Sequence, residues 1–310
     1  MNKVAFLFII IGAALWGTIG LFVQRLYEFG FSPIEVVTLR VSIAFIALFA
    51  FVLVTNRQTL LIKIKDIPIF LGTGIGSIVF FNWAYFTAIQ EMNLSIAAVL
   101  LYTGPAFVTV LSRIIFKESL TPQKFLALTG TFVGCILVIG LFPLNLGQFS
   151  SNGILFGLGS GFGYALYSIF GKIALNKNYS SLTTTTYTFL FASLSLLPTS
   201  GLITKGSVFW SVDAVLYSVS LGIIPTVLAY LLYTRGLQLV ESSKASIATT
   251  IEPVVAALIG VFIFQDVLTP WQLIGMLLIL SAVLFIHMKK GAPRNVASEE
   301  IKKVRKQGAS

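Results

Sequence analysis

Charged residues are scarce in this chain. Among its 310 residues only 10% are Asp, Glu, Lys or Arg, while 56% are hydrophobic. Soluble domains carry about a quarter charged residues, and the mean hydropathy of +0.93 is too high for a surface that faces water. The apolar runs are long and continuous, without the alternation of transmembrane β-strands. The composition therefore predicts an all-α integral membrane protein surrounded by a lipid bilayer.

Residues that serve catalysis or bind metals are equally sparse. The single histidine, His287, ends the last apolar run, and the single cysteine, Cys135, excludes an internal disulfide and is interpreted as a packing residue. The sequence has no G-x-S-x-G, no H-E-x-x-H, no pair of intramembrane aspartates and no Walker motif. GLGSGFG (157–163) lies in an apolar run with no strand before it, so we exclude a nucleotide loop. We expect neither an enzyme nor a bound metal or cofactor.

Long apolar runs divide the chain. About 20 apolar residues cross the hydrocarbon core as a helix, and the runs break at charged or turn-forming clusters. The first run resembles a signal peptide, but no A-x-A cleavage pattern precedes Gln24, so we interpret it as a retained span. The connections are too short for a second domain. The predicted spans are residues 4–23, 36–55, 67–88, 94–115, 124–142, 153–171, 181–203, 214–234, 245–264 and 270–288.

The net charge of +10 comes from residues between the runs and in the tail, which argues against nucleic-acid binding. With a cytoplasmic N-terminus, 18 of the 21 lysines and arginines fall on the cytoplasmic side, as the positive-inside rule requires. We therefore predict a multi-pass protein of the cytoplasmic membrane with both termini inside the cell. Residues 289–310 form a basic cytoplasmic tail, whose IKKVRKQ stretch either contacts anionic lipid or is simply solvated.

The sequence repeats itself at an offset of 148 residues. FKESLTP (116–122) then meets FQDVLTP (264–270), and ten of the forty positions from 85 to 124 are identical. In both motifs the threonine suits a helix N-cap and the proline the first helical position. We interpret the acids, Glu118 and Asp266, as structural residues at the membrane edge. Each copy holds five spans, and an odd number inserts the second copy upside down. The sequence thus predicts two inverted five-helix repeats, 1–142 and 153–288, a common plan of secondary transporters.

Several motifs stand in an order typical of one superfamily. They are ALWG (14–17), TLR (38–40), Pro105 followed by FKESLTP, and EPVVA (252–256) followed by FQDVLTP. With ten spans in two halves, residues 4–288 resemble the EamA-type permeases of the drug/metabolite transporter superfamily. The resemblance implies a ten-helix inverted-repeat fold and transport, often export, of amino acids or other small metabolites. The second copy departs from the pattern, since Tyr164 stands opposite Trp16, which weakens any claim of symmetric roles.

Glu252 is the most informative polar residue inside a span. It lies about eight residues from the cytoplasmic start of span nine, so about 12 Å deep. Its repeat partner is Gly104, so the scaffold does not require an acid there. An ionisable group at this depth is costly and usually faces a cavity or a partner. Three roles stay open: a proton carrier, a ligand for a substrate amine, and a buried acid hydrogen-bonded to a neighbouring helix.

Two prolines are predicted to bend their helices. Pro105 and Pro253 occupy equivalent positions in the repeats, and each lacks a backbone donor, which disrupts the helix one turn earlier. The carbonyls freed near Leu101 and Thr249 either bind ligand or water or are satisfied by Ser and Thr side chains. Paired bends around a central site and plain packing kinks are both consistent with this placement.

Arg40 is the candidate ligand for a substrate carboxylate. It lies about 10 Å from Glu252 along the membrane normal, in a core about 30 Å thick, which is too far for an easy ion pair. Pairing with Glu35 and snorkelling to the surface are the alternatives. Aromatic and amide residues at matching depths complete the candidate cavity, because aromatic faces hold cations or apolar side chains. These residues are Trp16, Asn82, Tyr85, Tyr102, Tyr164, Tyr230 and Tyr233.

The expected function is secondary transport of a small molecule, an amino acid or related metabolite, outward by alternating access. Protons are the candidate coupling ion, through Glu252. The alternatives are a facilitative or uptake permease for another metabolite, and a membrane receptor or scaffold without transport. The sequence does not determine the substrate, the direction of transport, the driving force or the oligomeric state.

Overall fold

The computed structural model describes residues 3–140, 150–202 and 211–288, and regular structure within these ranges is helical throughout. Eight helices are long and apolar enough to cross a membrane, and a ninth apolar helix is shorter. One further helix, rich in threonine, has 16 residues. In chain order they are α1 (Lys3–Glu28), α2 (Pro33–Thr55), α3 (Ile64–Glu91), α4 (Leu94–Phe116), α5 (Pro122–Val138), α6 (Ser151–Asn176), α7 (Ser181–Leu196), α8 (Val212–Leu239), α9 (Ser242–Phe264) and α10 (Pro270–His287).

The predicted all-α membrane fold is confirmed, and each predicted span corresponds to one of these helices. The largest difference in the described ranges is α7, which ends at Leu196 instead of continuing to residue 203. Pro198 follows, and its ring cannot continue a helix. The threonines of α7 are satisfied within the helix, since Thr184 Oγ1 donates to the Ser180 carbonyl at 2.9 Å and Thr186 Oγ1 to the Leu182 carbonyl at 2.8 Å.

The helix pairs are the same when each helix is replaced by its equivalent in the other half. Helix α1 packs on the second half of α8, and its counterpart α6 packs on the matching part of α3. Helix α4 packs on α6, and α9 on α1. The remaining main pairs, α2 with α7 and α5 with α10, each join equivalent helices. This exchange symmetry is what two five-helix repeats of opposite orientation produce.

Departures from regular α-helix also occur at related places in the two halves. The wide π-helical turns Gly72–Val79 in α3 and Ile223–Leu228 in α8 overlap when the repeat offset of 148 residues is applied. Regular α-helix is also interrupted just before each membrane proline: α4 breaks between Leu101 and Gly104, and α9 passes through a 3-10 turn at Thr249–Ile251. Both prolines then lie in the first turn of the resumed helix, where a missing N–H costs little.

The helix connections gather at two ends of the bundle. At one end, the start of α3 meets the segment after α6 through Asp66 and Lys177, whose Oδ1 and Nζ are 2.6 Å apart. At the same end, Lys172 of α6 reaches the last carbonyls of α8. We name this end the basic face, since its described connections carry Arg57, Lys63, Lys117 and Lys177. The opposite face holds the connections after α1, α3 and α9.

Helices α5 and α10 approach closely at a pair of glycines. A Cβ at Gly275 would lie 2.7 Å from the carbonyl oxygen of Gly134, and a Cβ at Gly134 would lie 2.9 Å from the Gly275 oxygen. Contact at this range is possible only because neither residue carries a side chain, as is common between membrane helices.

Gly275→Ala is therefore expected to lower stability by about 1–3 kcal/mol, the usual cost of overpacking. The measurement is the thermal unfolding midpoint of the purified protein in detergent. Gly20→Ala is the matched control, because a Cβ there meets nothing within 4 Å and alanine has the higher helix propensity. Equal midpoints for the two variants would contradict the close contact.

Candidate functional site

A cavity of about 380 Å³ lies between α1, α2, α3, α4 and the middle of α9. Its size is within the range of small-molecule sites. Most of its lining is apolar or aromatic, with an acid, an arginine and an amide among the polar members. Six of the predicted site residues line it, namely Trp16, Arg40, Asn82, Tyr85, Tyr102 and Glu252.

The cavity opens toward the opposite face. Its lining includes Tyr27 near the end of α1, Pro33 at the start of α2, and Leu94 at the start of α4, all at that end of the bundle. Tyr27 and Leu94 are 43% and 60% exposed. The inner end is formed by residues from the middle of the helices, including Trp16 and Phe81. The cavity thus extends from one end of the helix bundle to its centre.

Local structure places Glu252 on the cavity wall. The carbonyls before the α9 bend are satisfied by hydroxyls, since Thr249 Oγ1 donates to the Ser246 carbonyl at 2.7 Å and Thr250 Oγ1 to the Ile247 carbonyl at 2.6 Å. The bend therefore needs nothing from the acid. Glu252 begins the resumed helix, and its carboxylate makes no hydrogen bond or ion pair with any residue that the structure describes. A link to a neighbouring helix, one of the three roles considered above, is absent from these ranges.

Arg40 lies on the same wall from the side of α2. That helix starts with a capping box in which Ser32 N–H donates to Glu35 Oε2 at 2.6 Å. Within the described ranges Arg40 has no ion pair, and its Nε is buried without a hydrogen-bond partner. The indole Nε1 of Trp16 is likewise buried without a hydrogen-bond partner among the described residues. Arg40, Trp16 and Glu252 thus line one cavity, and the Arg40 Nε, the Trp16 Nε1 and the Glu252 carboxylate have no hydrogen-bond partner among the described residues.

Three predicted site residues lie elsewhere. Tyr164, Tyr230 and Tyr233 surround a void of only about 10 Å³, which is separated from the cavity by Trp16 and Phe81. The rings are tightly stacked, with centroids 5.0 Å apart between Trp16 and Tyr230 and 5.2 Å between Trp16 and Tyr233. We name this group, with Tyr167, the aromatic plug. It fills the space between the cavity and the basic face.

Hydroxyl pairs fix the aromatic plug to its helices. Ser168 Oγ and Tyr233 Oη are 2.6 Å apart, and Tyr167 Oη and Thr234 Oγ1 are 2.7 Å apart, each pair joining α6 to α8. Tyr164 Oη donates to Thr249 Oγ1 at 3.0 Å, at the bend of α9. These bonds satisfy polar groups that are buried away from water, and they close the route toward the basic face.

The repeat offset relates the cavity to the aromatic plug. Trp16, Asn82 and Tyr85 correspond to Tyr164, Tyr230 and Tyr233, each at a distance of 148 residues. One set lines an open cavity while the other lines a collapsed one. Sequence reasoning missed Phe81, Tyr167 and the buried Ser168. Helical spacing was the available signal, because Tyr167 and Ser168 lie three and four residues after Tyr164, on the same helix face.

Ten helices in two related halves, with a cavity that carries an acid and an arginine and opens toward the opposite face, are the architecture of a membrane transporter. The chain belongs to the EamA-like transporter family, which matches residues 3–140 and again residues 151–288. The resemblance seen in the motifs is thereby confirmed over both halves.

Named relatives agree with this class. The chain is 32% identical over 280 residues to an uncharacterized transporter of Archaeoglobus fulgidus, covering 89% of this chain and 93% of the relative. It is 28% identical over 226 residues to the threonine/homoserine exporter RhtA of Escherichia coli, covering 71% of this chain and 70% of the relative. A crystal structure with 19% sequence identity superposes with a TM-score of 0.77, covering 93% of this chain and 97% of the other. That likeness supports the fold.

Proposed function

We propose that this protein is a secondary transporter of the cytoplasmic membrane that exports amino acids or closely related zwitterionic metabolites by alternating access. The observation that carries the proposal is the pairing of Arg40 with Glu252 in one cavity without a bond between them. Unpaired charges inside a membrane protein are costly. A zwitterion brings both missing counter-charges in one molecule.

The proposed binding mode follows from the donors and acceptors on the wall. The substrate carboxylate accepts hydrogen bonds from the Arg40 guanidinium, which offers several donors in a fixed plane. The substrate ammonium donates to the Glu252 carboxylate. Trp16, Tyr85 and Tyr102 contact the substrate side chain, and Asn82 adds a polar contact for a hydroxyl. The mixture of aromatic faces and one amide suits small amphipathic side chains.

Transport requires the two halves, residues 1–142 and 153–288, to rock against each other. In this proposal the basic face is cytoplasmic, because lysine and arginine concentrate there, and both termini and the tail at 289–310 are inside the cell. The cavity then faces outward, and the aromatic plug is the barrier that must open before substrate loads from the cytoplasm. The name of RhtA, a threonine/homoserine exporter, supports export. Protons moving through Glu252 are the proposed driving ion.

Substrate chemistry gives the direct test. Purified protein is reconstituted into proteoliposomes that are preloaded with an unlabelled amino acid. Counterflow of the labelled compound into these vesicles is then measured. We expect the free amino acid to compete with the labelled compound for uptake. Its amide and its deaminated acid should each compete at least about tenfold less strongly, since each loses one charged contact. Equal competition by all three compounds would contradict the zwitterion site. A screen of the amino acids found in cell extracts supplies the labelled compound.

Uptake or facilitated diffusion through the same site is the second candidate. The outward opening of the cavity, in the proposed orientation, favours it. Metabolite profiling of the medium after overexpression separates the two directions, because export enriches the substrate outside and uptake depletes it. A receptor or scaffold without transport predicts no counterflow at all.

A further inference from the structure

Glu118, in the connection between α4 and α5, closes the basic face by a contact between the two halves. Its Oε1 accepts a hydrogen bond from the Ser242 amide at 2.6 Å, and its Oε2 accepts one from the Ser243 amide at 3.1 Å. The Ser243 hydroxyl donates to the same oxygen. A carboxylate at the start of a helix satisfies amides that have no partner within the helix and interacts favourably with the helix dipole. A side chain of the first half thus caps α9 of the second half.

Charges around Glu118 reinforce this contact. Lys124 Nζ lies 3.5 Å from Glu118 Oε2 and 3.0 Å from Glu241 Oε2, and its side chain is only 1% exposed. Glu241 also pairs with Lys244 at 3.0 Å. Partial burial of Glu241 disfavours its charge, but the two lysines outweigh burial and hold its pKa below the ordinary value. Nearby, Lys172 Nζ donates to the carbonyls of Leu237 at 2.7 Å and Val240 at 3.0 Å, which caps the end of α8.

Part of this arrangement has a polar counterpart at the opposite face. The ion pair of Lys124 with Glu241 has none, because the equivalent residues are Gln272 and Asn93. At an offset of 148, Glu118 corresponds to Asp266, Ser243 to Ser95, and Lys172 to Gln24. Asp266 and Gln24 are exposed, and the Asp266 carboxylate makes no hydrogen bond or ion pair within the described part of the chain. Its Oδ2 lies back over its own helix, 2.6 Å from where a Cβ of Gly260 would be. The contacts made at the basic face are therefore not made at the opposite face.

Local backbone does not explain this difference. Lys117 and Gln265 share the left-handed conformation, with φ of 57° and 61°. The Glu118 amide donates to the Ser112 carbonyl and the Asp266 amide to the Gly260 carbonyl, at 3.3 and 3.0 Å. Thr121 and Thr269 each accept a hydrogen bond from the amide of the third residue of the following helix, and Gln272 completes a capping box at Thr269 that Lys124 does not form at Thr121. The two motifs have similar backbones, but Glu118 meets Lys124 and the start of α9, whereas the position equivalent to Lys124 is Gln272 beside Asp266. We interpret the different contacts as the combined result of these side chains and of how the halves are arranged.

Helix contacts agree with this interpretation. Ser242–Ala248 packs against Gly104–Phe116 at the basic face. The corresponding segments, Leu94–Leu101 and Glu252–Phe264, have no comparable contact at the opposite face. The basic face is closed where Glu118 accepts hydrogen bonds from the start of α9. The opposite face is open where Asp266 makes no described contact with Ser95.

We infer that Glu118 and Asp266 are reciprocal latches of the transport cycle. Glu118 holds the basic face closed by capping α9. When the halves rock, Glu118 leaves Ser242 and Ser243, and Asp266 caps the start of α4 at Leu94 and Ser95, which closes the opposite face. The exchange replaces the capping bonds of Glu118 by those of Asp266, which add to the cap that the Asn93 side chain already provides at the start of α4. This inference rests on the alternating access proposed above.

Two reporter cysteines follow the equilibrium, each in a Cys135→Ser background. Gly20→Cys lies in the open cavity, where a side chain at Gly20 meets nothing within 4 Å. Its counterpart Ser168 is 2% exposed in the aromatic plug, so Ser168→Cys is reached only after rearrangement. Rates of maleimide labelling are measured in nanodiscs, where both faces meet the reagent. Labelling needs no substrate, so its result is independent of which metabolite is carried.

Substitution of Glu118 and of Asp266 is expected to change the labelling ratio in opposite directions. Glu118→Gln is expected to lower the labelling ratio of Gly20→Cys to Ser168→Cys by about tenfold, since it weakens charge-assisted bonds. Asp266→Asn is expected to raise the same ratio. Lys124→Gln installs the residue found at the equivalent position of the opposite face, Gln272, and removes the ion pair between Lys124 of the first half and Glu241 of the second. It is expected to change the ratio in the direction of Glu118→Gln and serves if that variant does not fold. Shifts in the same direction, or no shift, for Glu118→Gln and Asp266→Asn would overturn the latch. If the shifts are opposite but no amino acid is carried, the latch stands and the substrate proposal fails.

Discussion

Glu252→Gln is expected to lower the transport rate at saturating gradient by about tenfold or more. A glutamine keeps the size of the side chain but cannot pair with an ammonium group, and charged hydrogen bonds contribute about 1.5–3 kcal/mol, which corresponds to about 10- to 150-fold. The rate is measured in proteoliposomes with matched amounts of reconstituted protein. Glu28→Gln is the control, because Glu28 is half-exposed and pairs locally with Arg25, and we expect wild-type rates from it.

The same variant separates the two functional roles of Glu252. If the acid binds the substrate amine, both counterflow and transport driven by a pH gradient fall in Glu252→Gln. If it carries only the coupling proton, counterflow persists, since exchange needs no driving ion, while uphill transport is lost. Wild-type behaviour in both assays would show that the acid has neither role and that its place in the cavity is incidental.

Arg40→Gln is expected to raise KM by about 10- to 100-fold. Among the described residues that line the cavity, Arg40 alone has a cationic side chain, and its bonds to a carboxylate are charge-assisted. Arg40→Lys is expected to recover part of the affinity, since lysine restores the charge but not the planar set of donors. The measurement is the concentration dependence of counterflow. An unchanged KM in Arg40→Gln would place the substrate carboxylate elsewhere.

A substrate lacking the carboxylate sharpens this test. The amine that remains when the carboxylate is removed competes weakly with the wild type, and Arg40→Gln should not weaken it further, because the contact is already absent. Arg25→Gln is the charge-matched control, since Arg25 is 53% exposed and pairs with Glu28 outside the cavity. The combination isolates the Arg40 contact from a general change in protein charge.

The latch and the two charge substitutions act on different steps. Glu252 and Arg40 line the open cavity, so their substitution changes substrate recognition. Glu118 and Asp266 lie outside it, in connections at the two faces, so their substitution changes the balance of conformations. Transport assays combined with cysteine labelling therefore assign each loss of function to binding or to rearrangement.

The sequence by itself determined the membrane class, the ten helices and the two related halves. Hydrophobic run length is a local quantity, set by the thickness of the hydrocarbon core, and the motif FKESLTP with its copy FQDVLTP is visible without any three-dimensional information. The interruptions of regular helix before Pro105 and Pro253 were also predictable, because they depend on position along a single helix.

Only the tertiary structure decided which candidates share a cavity. Trp16 and Tyr164 have equivalent places in the repeat, yet the first borders the open cavity and the second lies in the aromatic plug. The same holds for Glu118, which is buried against α9, and Asp266, which is exposed. A repeated sequence encodes equivalent positions, but a transporter adopts one conformation at a time. The arrangement of the halves, which depends on contacts distant in sequence, therefore decides which copy is open and which is closed.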